Sequence, residues 1–86
     1  MYNLKYKKSV AKELKKLPLA VLKIIVRKIQ LLADNPQPIG SVKLRGSDNL
    51  YRIRHADYRI IYSIDSGELT ILVIKVAHRK EVYRDF

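Results

Sequence analysis

The chain has no cysteine among its 86 residues, so neither a disulfide nor a thiolate metal site can hold its fold together. That absence suits a reducing compartment, and a cytoplasmic protein is expected. Long apolar runs are also missing. The longest are a few residues, against the roughly 20 needed to span a bilayer. The opening Met1-Tyr2-Asn3-Leu4-Lys5 has no apolar core of a leader, so no signal peptide is expected. Acidic side chains are scarce, 8 against 18 Lys and Arg, which leaves a net charge of +10 and a pI near 10.0. There is no internal repeat and no low-complexity stretch.

Forty-eight per cent of the residues are apolar, enough to build a core and to exclude a disordered chain. The length fits one small domain, residues 1–86, burying roughly 60% of its unfolded surface. The charge points first to nucleic acid as partner. A protein of opposite charge or an anionic membrane surface is the alternative that charge alone leaves open.

Tyr2 to Tyr6 alternates apolar and polar, the period of a half-buried strand. Ser9 can cap a helix in which Val10, Leu14 and Leu17 form one stripe and Lys8, Lys12, Lys15 and Lys16 the wet side. Pro18 separates it from a second helix, Leu19 to Ala33, with a stripe of Leu22, Ile25, Ile29 and Leu32. Asp34 to Gly40 holds two prolines and breaks the pattern. From there the period is two: Val42 and Leu44, then Leu50 to His55, Tyr58 to Asp65 and Glu68 to Ala77, with Asp65-Ser66-Gly67 as a hairpin turn. The residues from His78 on suggest one loose helical turn. The fold class is therefore α+β: an N-terminal strand, two antiparallel helices packed on one face of a small, mostly antiparallel sheet (β-α-α-β-β-β), and a short C-terminal segment. The other sheet face is left open.

The two kinds of cation are unevenly placed. The first half carries nine lysines and one arginine; six of the seven arginines lie in the second half. A guanidinium is a planar fork that grips phosphate with two parallel hydrogen bonds, whereas an ammonium is a point charge. In Tyr51-Arg52-Ile53-Arg54 and Tyr58-Arg59-Ile60 the arginines alternate with apolar residues. If the apolar sides face the helices, Arg52, Arg54 and Arg59 share the open face. Like charges side by side on a sheet repel and persist where an anion sits between them. The plainer reading is a sheet edge defended by charge against aggregation.

The stretch His78-Arg79-Lys80-Glu81-Val82-Tyr83 adds an imidazole, a phosphate fork and a phenol. Such a set suits RNA cleavage by attack of a ribose 2′-oxygen on its own phosphate, which needs a proton acceptor, a proton donor and cations around the charged transition state. Two histidines, His55 and His78, with no cysteine make a poor metal-ligand set, so neither metal nor cofactor is expected. The remaining tyrosines read as core residues.

Lys43-Leu44-Arg45-Gly46, Tyr51-Arg52-Ile53-Arg54, Tyr58-Arg59-Ile60-Ile61-Tyr62 and Val76-Ala77-His78-Arg79-Lys80-Glu81-Val82-Tyr83 together resemble the successive signatures of the RelE branch of the RelE/ParE toxin superfamily. The likeness covers nearly the whole chain. It implies a type II toxin that enters the ribosomal A site and cuts messenger RNA. It also implies a cognate antitoxin as partner, and operator DNA reached only through the toxin–antitoxin complex. By position, Arg59 matches the phosphate-binding arginine of its strand, Arg79 the arginine after the last strand, and Tyr83 the C-terminal tyrosine. Arg52, Arg54, Arg45, Lys43 and Lys80 would hold RNA. The well-known members have lysines where this chain has Arg52 and Arg54. Arginine does not give up its proton, so these two would be electrostatic clamps, leaving proton transfer to His78 or Tyr83, with His55 as a further candidate. Two other readings share the fold: a ParE-like toxin that poisons DNA gyrase, and an RNA- or ribosome-binding domain that does not cut.

Overall fold

A computed structural model describes residues 1–82. The elements are β1 (Asn3–Tyr6), α1 (Lys8–Lys15), α2 (Leu19–Leu32), β2 (Val42–Lys43), β3 (Leu50–His55), β4 (Tyr58–Asp65) and β5 (Thr70–His78). The sheet order is β1-β5-β4-β3-β2. β1 runs parallel to β5, with Asn3 opposite Thr70, and every other pairing is antiparallel. The expected α+β class is the observed one, with four strands after the helices because Val42–Lys43 forms a short edge against Arg52 and Tyr51. Among the described residues no helix is long and apolar enough to cross a membrane.

One sheet face carries the core. Val10 of α1 and Ile25, Ile29 and Leu32 of α2 close on Ile53, Ile60, Tyr62, Ile71, Val73 and Val76. Ile25, Ile29 and Leu32 recur at the helical spacing of three and four, which puts them on one stripe. The strand residues recur at period two until β5, where it breaks. Tyr62 pairs with Val73 but Ile61 pairs with Lys75, so Ile74 is an extra residue, a β-bulge. Below the bulge Ile71 and Val73 face the helices; above it Val76 does.

Two local expectations change. α1 begins at Lys8 with Lys7 at its N-cap and no side-chain cap, so Ser9 does not cap it. The reason is β1: Lys7 still donates its N–H to Val73 O at 2.9 Å and stays extended, and the helix starts directly after it. β5 starts at Thr70 rather than Glu68 and runs on through His78, which therefore belongs to the sheet. The turn before it spans residues 66–69, with the Asp65 carboxylate accepting the Glu68 N–H at 3.0 Å.

The proline segment is fastened by two stacked tyrosines. Tyr62 is fully buried and donates its hydroxyl to Pro36 O at 2.6 Å. Its ring lies 6.0 Å from that of Tyr51, whose hydroxyl accepts from Gln37 Nε2. Burial pushes the Tyr62 phenol up to about 12, because the phenolate would lose its water. The unfolded phenol titrates near 10, so the folded state holds the proton more tightly, and this contribution to stability is complete below pH 10 and is lost as pH rises through 12. In urea titrations, wild type should exceed Tyr62→Phe by about 1 kcal/mol at neutral pH, the usual net worth of such a hydrogen bond. That lead should shrink and then reverse between pH 10 and 12. In this window the phenol is ionised in the unfolded chain but still protonated in the folded one, and stability falls by about 1.4 kcal/mol for each tenfold drop in proton concentration. A lead that stays constant over this range would contradict the burial of the hydroxyl.

Candidate functional site

Tyr51, Ile53, Tyr58, Ile60 and Tyr62 all pack on the helix side. Their strand neighbours Arg52, Arg54 and Arg59 therefore lie on the opposite face, where Arg54 is exposed, Arg52 and Arg59 are half-buried and Ile61 is fully buried. The register sorts them into rows. Arg54 stands directly opposite Arg59, and Arg59 opposite Ala77; Arg52 stands opposite Ile61, and Ile61 opposite Lys75. Directly opposed residues have Cβ atoms about 5 Å apart, so Arg54 and Arg59 share one patch of surface. Ala77 offers only a methyl group, which leaves the β5 end of the first row open.

Arg59 is held in place by its own hairpin. Nη1 donates to Ala56 O at 3.2 Å and to Tyr58 O at 3.3 Å. Both acceptors are neutral carbonyls, so these bonds orient the guanidinium without cancelling its charge. Ala56 sits at φ +52, a left-handed conformation that disfavours a residue with a Cβ by about 1 kcal/mol or more. The two-residue link Ala56-Asp57 is thus a tight turn whose strained carbonyl faces Arg59.

Arg79 reaches the same turn from β5. Its backbone N–H donates to Asp57 O at 2.7 Å, continuing the β4–β5 pairing past the last strand residue. Its Nε lies 3.8 Å from Asp57 Oδ1, with both side chains 58% exposed. An exposed pair of this kind contributes about 0–1 kcal/mol, so Asp57 aims Arg79 but would yield it readily to a phosphate. Arg54, Arg59 and Arg79 therefore meet at the β3–β4 hairpin end of the sheet, with Arg52 one row behind. Lys80 is exposed just beyond.

The other expected site residues are placed elsewhere. Arg45 and Lys43 lie at the opposite end of β3, where Leu44 donates its N–H to Leu50 O. Leu50 and Arg54 are four residues apart, roughly 13 Å along the strand. There Val42, Leu44, Ser47 and Leu50 join Arg45 and Lys43 in lining a shallow groove. His78 is on the helix side: its ring meets the Tyr58 ring edge-on, 5.7 Å between centroids. Its Nδ1 accepts the Lys80 N–H at 3.2 Å, so the neutral ring carries its proton on Nε2. His55, opposite Tyr58, is on the helix side as well. His78 and the arginine patch are thus on different faces of the sheet. Tyr83 lies outside the described residues.

The bulge explains the displacement of His78 and adds a residue that sequence reading missed. Uninterrupted alternation from Ile71 and Val73 would put Lys75 with the core and His78 with the arginines. The extra residue at Ile74 exchanges them, so Lys75 joins the basic face. No sequence signal marks the change, because Ile71-Leu72-Val73-Ile74 is apolar throughout. Asp57, the carboxylate that aims Arg79, was also not singled out. Its signal was its place in a two-residue link between two arginine-bearing strands.

Residues 4–83 match the family described as ParE toxin of the type II toxin–antitoxin system parDE. A curated relative, putative toxin RelE1 of Methanocaldococcus jannaschii, is 32% identical over 98% of this chain and 97% of its own. Among solved structures, the archaeal RelE–RelB complex of Pyrococcus horikoshii OT3 superposes with a TM-score of 0.81 at 34% identity, covering 91% of this chain and 94% of that one. The isolated Escherichia coli RelE toxin gives 0.80 at 26% identity, covering 91% and 84%. The chain belongs to the RelE/ParE superfamily of type II toxins. Within it, this is a toxin of RelE type.

Proposed function

We propose that this toxin is an endoribonuclease that cuts messenger RNA in the ribosomal A site. The observation that carries the reading is the convergence of Arg54, Arg59 and Arg79 on one hairpin, with Arg52 and Lys75 behind them. The ribose 2′-oxygen attacks the adjacent phosphorus as its proton leaves. The P–O5′ bond breaks, the 5′-oxygen takes up a proton, and a 2′,3′-cyclic phosphate remains. Charge on the phosphoryl oxygens rises on the way to the transition state, so fixed guanidinium groups bind that state more tightly than the substrate. Arg59 and Arg79 take this role, because the hairpin orients both. Arg52 and Arg54 clamp flanking phosphates. His78 has Nδ1 engaged by a backbone N–H and its ring on the far face, which favours Tyr83 for proton transfer. A tyrosine serves at neutral pH only when cations lower its pKa, so this role for Tyr83 requires the arginines to act on it.

A type II toxin is kept silent by its partner, and complexes with the cognate antitoxin RelB are seen in structures of relatives. For this chain an acidic antitoxin segment that covers the basic face fits the charge of +10. The deciding experiment is primer extension on translated message after brief induction. Cuts inside codons that vanish when translation is blocked are expected. The match to a family model named for ParE keeps a second reading open, gyrase poisoning. Inhibition of purified gyrase with no cut on programmed ribosomes would replace the first reading by it.

A further inference from the structure

We infer that Glu13, on α1 and outside the arginine patch, is a positioning residue for Arg79. The inference rests on the cleavage reading above. A carboxylate near a helix C-terminus faces the negative end of the helix dipole, an unfavourable place for it. Glu13 stands two residues from the end of α1 with that disadvantage. What it gains is a bond across the fold: Oε1 accepts the backbone N–H of Val76 at 3.0 Å.

That amide is a special one. β1 accompanies β5 only as far as Tyr6 opposite Val73, and Lys7 N–H on Val73 O is the last bond between the two segments. Beyond it, among the described residues, the side of β5 turned away from β4 has no strand beside it. The Ile74 bulge falls at this point, and Val76 is the first core residue after it. Its N–H, spent on Glu13, points away from β4 into the gap that β1 leaves. The Glu13 carboxylate thus stands in for the missing strand and pins the register that follows the bulge. That register decides three things at the site. It puts Lys75 and Ala77 on the arginine face, sends His78 to the helix side, and sets the Arg79 N–H on Asp57 O at 2.7 Å. Farther along the same side, the His78 carbonyl accepts from Glu81 and Val82, so past Glu13 the chain closes on itself. Glu13 touches no RNA in this scheme. It acts through β5.

The test compares the full chain with Glu13→Ala and Glu13→Gln. An amide side chain still offers an acceptor oxygen, so Glu13→Gln should cleave programmed ribosomes within about threefold of wild type, since only the charge assistance is lost. Glu13→Ala should lower kcat by on the order of 10- to 100-fold with KM little changed, the signature of a misplaced rather than a missing catalytic group. Hydrogen exchange gives a readout independent of activity. In Glu13→Ala the amides of Val76 and Arg79 should lose protection while that of Ile60 keeps it. Unchanged kcat with Arg79 still protected would overturn the inference. So would equal loss of protection at Ile60, which would mean plain destabilisation, or a Glu13→Gln variant as impaired as Glu13→Ala. If wild type itself fails to cleave, the functional reading falls. Exchange at Arg79 then decides alone whether Glu13 holds that strand end.

Discussion

Arg59→Ala and Arg79→Ala should each lower the rate of cleavage on programmed ribosomes by about 10²- to 10³-fold, the range found when one preorganised group that stabilises a transition-state charge is removed. The expectation comes from how the two side chains are held. Arg59 is fixed by two carbonyls of its own hairpin, and Arg79 is aimed by Asp57 in that same turn. Arg59 is already oriented before a phosphate arrives, and Arg79 has only a weak exposed ion pair to give up. The two should not be additive. If both guanidiniums act on one phosphoryl group, the double variant will lose less than the product of the single losses. Arg52→Ala and Arg54→Ala should differ in kind, raising KM more than they lower kcat, because a clamp on a flanking phosphate binds ground state and transition state alike.

The substitutions also separate chemistry from folding. Arg79 is exposed and its ion pair contributes little, so Arg79→Ala should keep wild-type stability within about 0.5 kcal/mol. Arg59→Ala loses two bonds to carbonyls, each worth roughly 1 kcal/mol net. Arg59→Lys is the sharper control: it keeps the charge but replaces a planar fork by a point, and intermediate activity is expected. Growth arrest equal to wild type by both alanine variants would show that the patch is not the site, whatever the fold.

Much of this patch was legible because its two strands are regular. Tyr51-Arg52-Ile53-Arg54 and Tyr58-Arg59-Ile60 alternate cleanly, and a two-residue link forces them into a hairpin, so facing and register follow from local pattern alone. α2 was legible for the same reason, through Ile25, Ile29 and Leu32. What escaped depends on contacts far apart in the chain. Asn3 meets Thr70, and Glu13 meets Val76; neither pairing leaves a periodic trace. The bulge at Ile74 sits in an unbroken apolar run where period two cannot be read. That one extra residue puts His78 on the helix side and Lys75, opposite Ile61, on the face that carries the arginines. The facing of the β3 and β4 arginines was thus readable from sequence, whereas the face of His78 was not, because it is set by the bulge.

Ile60→Ala should be the most destabilising single change in the core, by about 2–5 kcal/mol. Ile60 is fully buried at the middle of β4, directly between Ile53 of β3 and Val76 of β5, which are 6% and 1% exposed. Ile25 and Ile29 belong to the same cluster on the helix side. A cavity opened here removes partners on three sides, and a rigid sheet cannot collapse into it. For a domain of this size total stability is on the order of 4–13 kcal/mol, so the loss takes a large share of it. The thermal midpoint should fall by about 4–8 °C per kcal/mol, and Ile60→Val, which removes one methyl group, should cost only about 0.5–1.5 kcal/mol. Leu69→Ala, at a half-exposed turn residue, is the matched control and should change stability by less than about 0.5 kcal/mol. The measurement is urea unfolding with the slope held constant across variants, so that midpoint shifts report stability alone. Because Ile60 lies beside Arg59 in the chain and across from the strand that carries Arg54, its loss should also loosen the basic hairpin. Cleavage by Ile60→Ala should therefore decline at temperatures where Arg79→Ala is still fully folded. A loss of less than about 1 kcal/mol in Ile60→Ala, below the range for emptying a buried isoleucine site, would mean that the row Ile53, Ile60, Val76 is not the centre of the core.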